Sequence, residues 1–531
     1  MSVPATELRE VGTGLAETDK GMVARERSAH LAAILNVFSY SFSFVNAIIM
    51  GRVFGATSIT DAFYLAVLLP NTLVAILGNS MACAVQSLLS RRALCHSDRA
   101  KLLLAAVIPL ASLIVAAGIH LALPAPGLLR LLGSGGPAQR LLASAWFVAF
   151  CFGLLLSGCS TLLMASLQAA GRYAAASTYQ ALCALVQGGL MLLLRQAGAR
   201  ALPVSYVAAQ AVGFLLVVVL LRTTPKAGPI GEQKLSVPKA FSALVPIWWP
   251  MVFGALLGNL TLIFQRSLLG QLPSGELTSF TYAWGLGNLP MLLFTLLLNA
   301  PTITEVGRHV SSPPRLSRQI GWMMLLSFAI MGPLALLLID SADSIVALMY
   351  GSRLGEHTQT CTRVLQLLGL VGLIQLPAVV PAKAFAAVGD TRTSTTCTVI
   401  AGVIGAAMMV PFFHWFGGAH SLVFATLVEA CINTVLLSIA ANRRWPGVRR
   451  GWKMLASMLA AVIVSGLVAS TVARGAIPVH NTMSHLIRTA ATMLGGLGLL
   501  ALGLSIVPGG RRALRLTMGG RLPLMPPAEM T

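Results

Sequence analysis

Apolar stretches separated by short polar connections recur from Leu31 to Val507. About 20 mostly apolar residues in a helix are enough to cross the hydrocarbon core of a bilayer. The pattern therefore predicts about fourteen spanning helices. They fall at 31–50, 62–89, 102–123, 142–167, 174–194, 204–221, 241–267, 277–298, 320–339, 364–388, 397–416, 422–441, 454–472 and 489–507. The connection at 223–239 carries Pro225, Gly228, Pro229, Gly231 and Pro238, which break any helix. The expected fold is an all-α polytopic membrane protein with two related bundles around a central cavity and two further C-terminal helices. Its parts are a tail at 1–28, a six-helix bundle at 29–222, the linker and a second six-helix bundle at 240–442. A basic loop at 443–453, a helix pair at 454–508 and a tail at 509–531 complete it.

Charge fixes the expected orientation. Of the 37 Lys and Arg, 26 fall in the tails and connections that lie inside if the N-terminus is inside, and 9 fall in the outside loops. That bias obeys the positive-inside rule and places both termini in the cytoplasm. The net charge of +21 is thus a feature of loops beside a membrane. The run Arg443-Arg444-Trp445-Pro446-Gly447-Val448-Arg449-Arg450 reads as an anchor to anionic membrane lipids, with no nucleic-acid partner expected. The first 28 residues lack the order of a cleaved signal peptide, so the first span is expected to serve as the insertion signal. The eight cysteines mostly fall within spans and form no CxxC or metal-ligand cluster. No nucleophile–base pair, phosphate loop or metal site is evident, so neither catalysis nor a cofactor is expected. A weak echo relates the halves: Phe63-Tyr64-Leu65-Ala66 leads to Leu69-Pro70, and Phe280-Thr281-Tyr282-Ala283 leads to Leu289-Pro290. Internal repeats around a central cavity are a common transporter architecture.

Candidate chemistry lies where polarity costs most, since a charge at the bilayer centre costs ~2.5–3.5 kcal/mol on insertion scales. Arg52 and Asp61 flank the first outside turn, either as a solvated interfacial pair or as an ion pair closing the outer end of a cavity. Arg266, beside Gln265, either snorkels to the outer headgroups or holds an anion such as a diphosphate. Glu429 sits deep in the twelfth span, as a paired carboxyl or an ion-coupling group, and Lys383 lies toward an inner span end, where it can snorkel. Ser39, Ser43 and Asn46 share one face of the first span, and Asn71, Asn79, Gln86, Asn259 and Asn288 add uncharged polarity. Such groups line a polar cavity or bond to neighbouring helices.

The stretch Gly51-Arg52-Val53-Phe54-Gly55-Ala56, followed by Thr60-Asp61-Ala62-Phe63 and Leu69-Pro70-Asn71, resembles the N-terminal signature of the MviN/MurJ family of lipid II flippases. The likeness continues through Gly275-Glu276-Leu277, Tyr282-Ala283 and Leu289-Pro290. It resumes at Lys383-Ala384-Phe385-Ala386-Ala387 and Gly389-Asp390-Thr391-Arg392-Thr393. The resemblance implies a fourteen-span protein of the bacterial cytoplasmic membrane, within the multidrug and oligosaccharidyl-lipid exporter superfamily. It implies alternating access for a polyprenyl-diphosphate-linked saccharide, a gate at Arg52 and Asp61, and a lipid-tail groove at the last two spans. Cell-envelope synthesis proteins become candidate partners. Tyr40 and Asn46 stand where the family usually has first-span arginines, as do Val74 and Gly285 for arginines elsewhere. The expected cavity set is Arg266, Asn46, Tyr40, Gln265 and Asn288, with Glu429 for ion coupling. The saccharide is then the peptidoglycan precursor lipid II or an exopolysaccharide repeat unit, and the missing arginines favour a specialised glycan or modified lipid over lipid II. Two rival readings remain: a cation-coupled small-molecule antiporter using Glu429 and Asp61, and a non-transporting membrane scaffold.

Overall fold

A computed structural model describes residues 19–91, 96–122, 137–170, 172–223, 236–297, 313–388 and 390–449, with isolated positions at 306 and between 468 and 492. Among the described residues there is no strand. The first half contributes α1 (Asp19–Val53), α2 (Ser58–Leu73), α3 (Asn79–Arg91), α4 (His96–Ala122), α5 (Pro137–Ala169), α6 (Tyr173–Leu193) and α7 (Ala201–Arg222). The second contributes α8 (Val237–Leu269), α9 (Glu276–Gly287), α10 (Leu289–Leu297), α11 (Pro313–Asp340), α12 (Ala342–Tyr350), α13 (Thr358–Ala387), α14 (Thr391–Phe416) and α15 (His420–Arg444). Among the described residues, nine segments are long and apolar enough to cross a membrane. The expected spans at 102–123 and 241–267 fall on α4 and α8, and the one at 277–298 is interrupted at Asn288 before Pro290. The helix pair expected at 454–508 lies outside the described residues but for isolated positions, and the tail at 509–531 lies wholly outside them.

Three local departures have physical reasons. α1 begins at Asp19, inside the expected tail, because residues such as Lys20, Arg25, Glu26 and Arg27 favour helix as it leaves the apolar stretch. The second span is α2 and α3 joined by a π-helical turn, Val74–Gly78, in which the amide of Asn79 donates to the carbonyl of Val74. A π turn pushes carbonyls off the helix axis, and the indole Nε1 of Trp248 donates to one of them, on Leu77, at 3.3 Å. The third departure is α12, a helix of nine residues too short to span and absent from the predicted elements. The motif beginning at Asp390 is a helix start: the Asp390 carboxylate accepts the Thr393 amide at 3.2 Å and caps α14.

Packing divides as the halves do. In the first, α1 lies on α6, and α5 is packed by α2, α3, α4 and α7. In the second, α13 is packed by α9, α11 and α15, and α14 lies on α15. α8 joins them, packing on α3 and α4 on one side and α14 on the other. One apolar core runs through both halves, and a second gathers Phe294, Phe328, Phe385 and Trp445. Large apolar side chains remain on the outer faces, Leu193 at 78% and Trp415 at 73% exposure among them. Faces that apolar belong against lipid.

Candidate gate and binding cavities

The turn between α1 and α2 is built locally. Gly55 takes a left-handed φ of 70°, and a Cβ there would lie 2.9 Å from the carbonyl oxygen of Arg353, so only glycine fits without strain. Thr57 and Thr60 then form a capping box: the Thr57 amide donates to Thr60 Oγ1 at 2.9 Å and starts α2. This places Asp61 in the first turn, 2% exposed and directed at the other half of the molecule.

Asp61 and Arg52 do not form an ion pair; each binds the end of a different helix in the second half. The Asp61 carboxylate accepts the amides of Gly275 at 2.6 Å and Thr278 at 2.9 Å, and the hydroxyl of Thr278. It is the N-cap of α9, supplied from another helix to amides that have no partner within their own. Gly275 holds φ at 96°, and the ring of His357 fills the space where a Cβ would stand. Arg52 donates to the carbonyls of Leu348 and Met349 at the C-terminal end of α12. Both contacts suit the helix macrodipole, an anion at a positive N-terminus and a cation at a negative C-terminus. Behind them Tyr282 and Tyr350 stack at 4.7 Å, and Tyr64 meets Tyr282 edge-on at 6.2 Å. The Tyr282 hydroxyl donates to the Gly55 carbonyl at 3.2 Å. This end of the molecule is closed by bonds that run between the halves.

Two cavities lie away from that latch. The first, about 480 Å³, opens between α8, α9, α13, α14 and α15 and is lined by Gln265, Trp284, Asn288, Gln375, Thr398 and Glu429 among others. Among the described residues nothing hydrogen-bonds or ion-pairs with the Glu429 carboxylate, which lies over Gly405 of α14. Gln265 donates to Thr426 at 3.5 Å. The second, about 350 Å³, lies within the first half between α1, α3, α5 and α6. Asn36, Tyr40, Asn79, Gln86, Gln168 and Gln180 line it. Among the described residues neither lining contains a Lys or Arg.

The expected cavity residues thus separate. Gln265, Asn288 and Glu429 share one cavity, and Tyr40 lines the other. Arg266 lines neither: it donates to Thr281 Oγ1 and lies 5.4 Å over the Phe280 ring. Lys383 is half-buried on α13, away from both linings. Asn46 also lines neither; its Nδ2 donates to the Ala184 carbonyl at 2.7 Å and ties α1 to α6. Replacing Asn46 by Ala should lower stability by about 1 kcal/mol, the worth of one such bond between membrane helices. Unfolding in detergent reads that loss, while substrate affinity should not move. The latch partners Thr278 and Tyr350 escape a reading of the sequence, because no charge marks them, and Tyr282 is marked there only by the echo between the halves and the family resemblance. A buried carboxylate needs donors, and Gly275 before a helix start is the signal that points to them.

Comparison with known proteins follows the same lines. No curated protein sequence matches the chain significantly. A solved lipid II flippase MurJ in an inward closed conformation superposes with a TM-score of 0.73 at 15% identity, covering 89% of this chain and 98% of that one. An inward-facing multidrug resistance MATE family transporter of the MOP superfamily gives 0.65 at 14% identity, covering 79% and 99%. A MOP superfamily transporter from Pyrococcus furiosus, whose binding pocket is described as of reverse polarity, gives 0.57 at 14% identity, covering 80% and 97%. At these identities the likeness shows a shared fold. The sequence model of the lipid II flippase MurJ matches residues 50–490, most of the chain and the whole of the latch, and the protein belongs to that family.

Proposed function

We propose that the protein carries a polyprenyl-diphosphate-linked saccharide across the bacterial cytoplasmic membrane by alternating access, with the α1–α2 turn as the outer gate. The observation that carries this is the trans cap on α9: Asp61 holds the two halves together through hydrogen bonds that join the first turn of α2 to the start of a helix in the other half. Family membership supports a lipid-linked saccharide as the cargo. Arg266 is engaged by Thr281 and, among the described residues, neither cavity offers a cation to the diphosphate. The saccharide therefore carries recognition, and the substrate in this reading is a specialised glycan lipid rather than lipid II. Expression in a bacterium depleted of its own lipid II flippase tests the substrate. Failure to restore growth at verified abundance is expected. Rescue would mean that the cavity handles lipid II by groups other than arginine.

Glu429 is the ion-coupling group in this reading, since its carboxylate faces a cavity in which the described residues supply no counter-charge. A buried carboxylate in that position binds a proton or a sodium ion. Glu429→Gln should make translocation in vesicles insensitive to an imposed proton or sodium gradient while abundance holds. Gradient-dependent translocation that survives the substitution would remove Glu429 from coupling.

A further inference from the structure

The cavity between α1, α3, α5 and α6 has a chemistry that the latch and Glu429 leave unused. Four of its side chains, Asn36, Asn79, Gln168 and Gln180, are primary amides without a hydrogen-bond partner among the described residues. Tyr40 adds a phenol and Ser177 a hydroxyl, and Met164 and Ala82 give apolar floor. Among the described residues no Lys, Arg, Asp or Glu lines it.

Each candidate ligand class can be tested against that lining. A phosphate or diphosphate wants cations or a helix N-terminus, and finds neither in the side chains here. A cationic ligand wants a carboxylate or an aromatic cage. An apolar ligand would leave the amides without partners, at a cost of ~1–3 kcal/mol for each buried group. A primary amide offers both donors and acceptors. Its best complement is a neutral group that is itself both, such as sugar hydroxyls and N-acetyl amides. The volume of about 350 Å³ suits a short saccharide.

We propose that this cavity binds the neutral saccharide portion of the cargo, with Asn36, Asn79, Gln168 and Gln180 hydrogen-bonding its hydroxyl and N-acetyl groups. The proposal rests on the flippase reading for how the sugar arrives, attached to a lipid, but the site itself needs only the sugar. Specificity then comes from the glycan rather than from the diphosphate.

Cys83 lines the same cavity and is exposed, so it reports occupancy without any substitution. The purified full-length chain would be treated with a small maleimide and modification at Cys83 followed by peptide mass spectrometry, with Cys431, also exposed but outside the lining, as internal reference. The probes are undecaprenyl diphosphate bearing a single N-acetylglucosamine, undecaprenyl diphosphate alone, and free N,N′-diacetylchitobiose. The sugar-bearing probes should slow modification at Cys83 about fivefold relative to Cys431, and undecaprenyl diphosphate alone should not. Gln180→Leu should erase the protection, and Gln180→Asn should keep part of it. Protection by undecaprenyl diphosphate equal to that by the sugar-bearing lipid would overturn the proposal, as would the absence of protection by every saccharide probe. Protection by free chitobiose in a protein that translocates neither lipid would keep the site and defeat the flippase reading.

Discussion

Replacing Asp61 by Ala should open the gate end of the molecule and nearly abolish transport while the protein still folds. The carboxylate accepts from two amides and a hydroxyl of α9, and Ala offers no acceptor. Hydrogen bonds to a charged group contribute about 1.5–3 kcal/mol each, and water in an opened gate repays part of the loss. A net loss of about 3 kcal/mol shifts the closed-to-open ratio by about two orders of magnitude. Alternating access needs both states, so translocation should fall by a similar factor. Ser279, buried with a hydroxyl that has no hydrogen-bond partner among the described residues, is a suitable reporter. In a Ser279→Cys background an impermeant maleimide added outside should label the introduced thiol when Asp61→Ala is present and spare it when Asp61 is intact. Asp61→Asn, which keeps one acceptor oxygen, should fall between. If the introduced thiol stays unlabelled in the Asp61→Ala protein and translocation is intact, Asp61 is not a gate residue.

The converse experiment locks the same place. Thr278 Oγ1 lies 3.1 Å from Thr60 Oγ1, across the boundary between α9 and α2. With both replaced by Cys, rotation about the two Cα–Cβ bonds brings the thiols together across that boundary, and a small helix shift accommodates the ~3.8 Å Cβ separation typical of a disulfide. Oxidation should then remove nearly all translocation and a reductant should restore it. Neither single variant should respond. Full activity in the cross-linked protein would mean that this end need not open during transport.

The spans are legible because a bilayer imposes a length on apolar sequence, and twelve of the expected segments fall on described helices. Arg52 and Asp61 stand out because charge beside a span is costly, yet their partners do not. Those partners are backbone carbonyls and amides, which every residue carries, so nothing in the side chains marks them. The ends of α12 are more legible: Ser341 precedes it, and Gly351, at a φ of 61°, follows it. Its nine residues cannot span, so a search for spans passes over them. Asn46 and Tyr40 illustrate a reading that helical geometry refines. Asn36 and Tyr40 are four apart and share a cavity face, but Asn46 is six residues beyond Tyr40 and so turned about 240° from it. Arg266 is beyond the reach of sequence, since its engagement by Thr281 depends on how α9 folds back after the turn that follows α8.

The π turn at Val74–Gly78 holds one residue more than an α-helical path would need. The π turn absorbs that residue on the spot, so α3 presents the face it would present if the residue were absent. Asn79, Cys83 and Gln86 line the cavity from that face. Loss of one codon anywhere from Val74 to Gly78 would remove the bulge together with the extra residue, leaving an unbroken helix with those three side chains still on the cavity wall. A codon gained after Gly78 without a second bulge would instead turn α3 by about 100° and carry them off it. Length change in this helix is therefore asymmetric in evolution: a loss is silent for the cavity wall, and a gain rebuilds it.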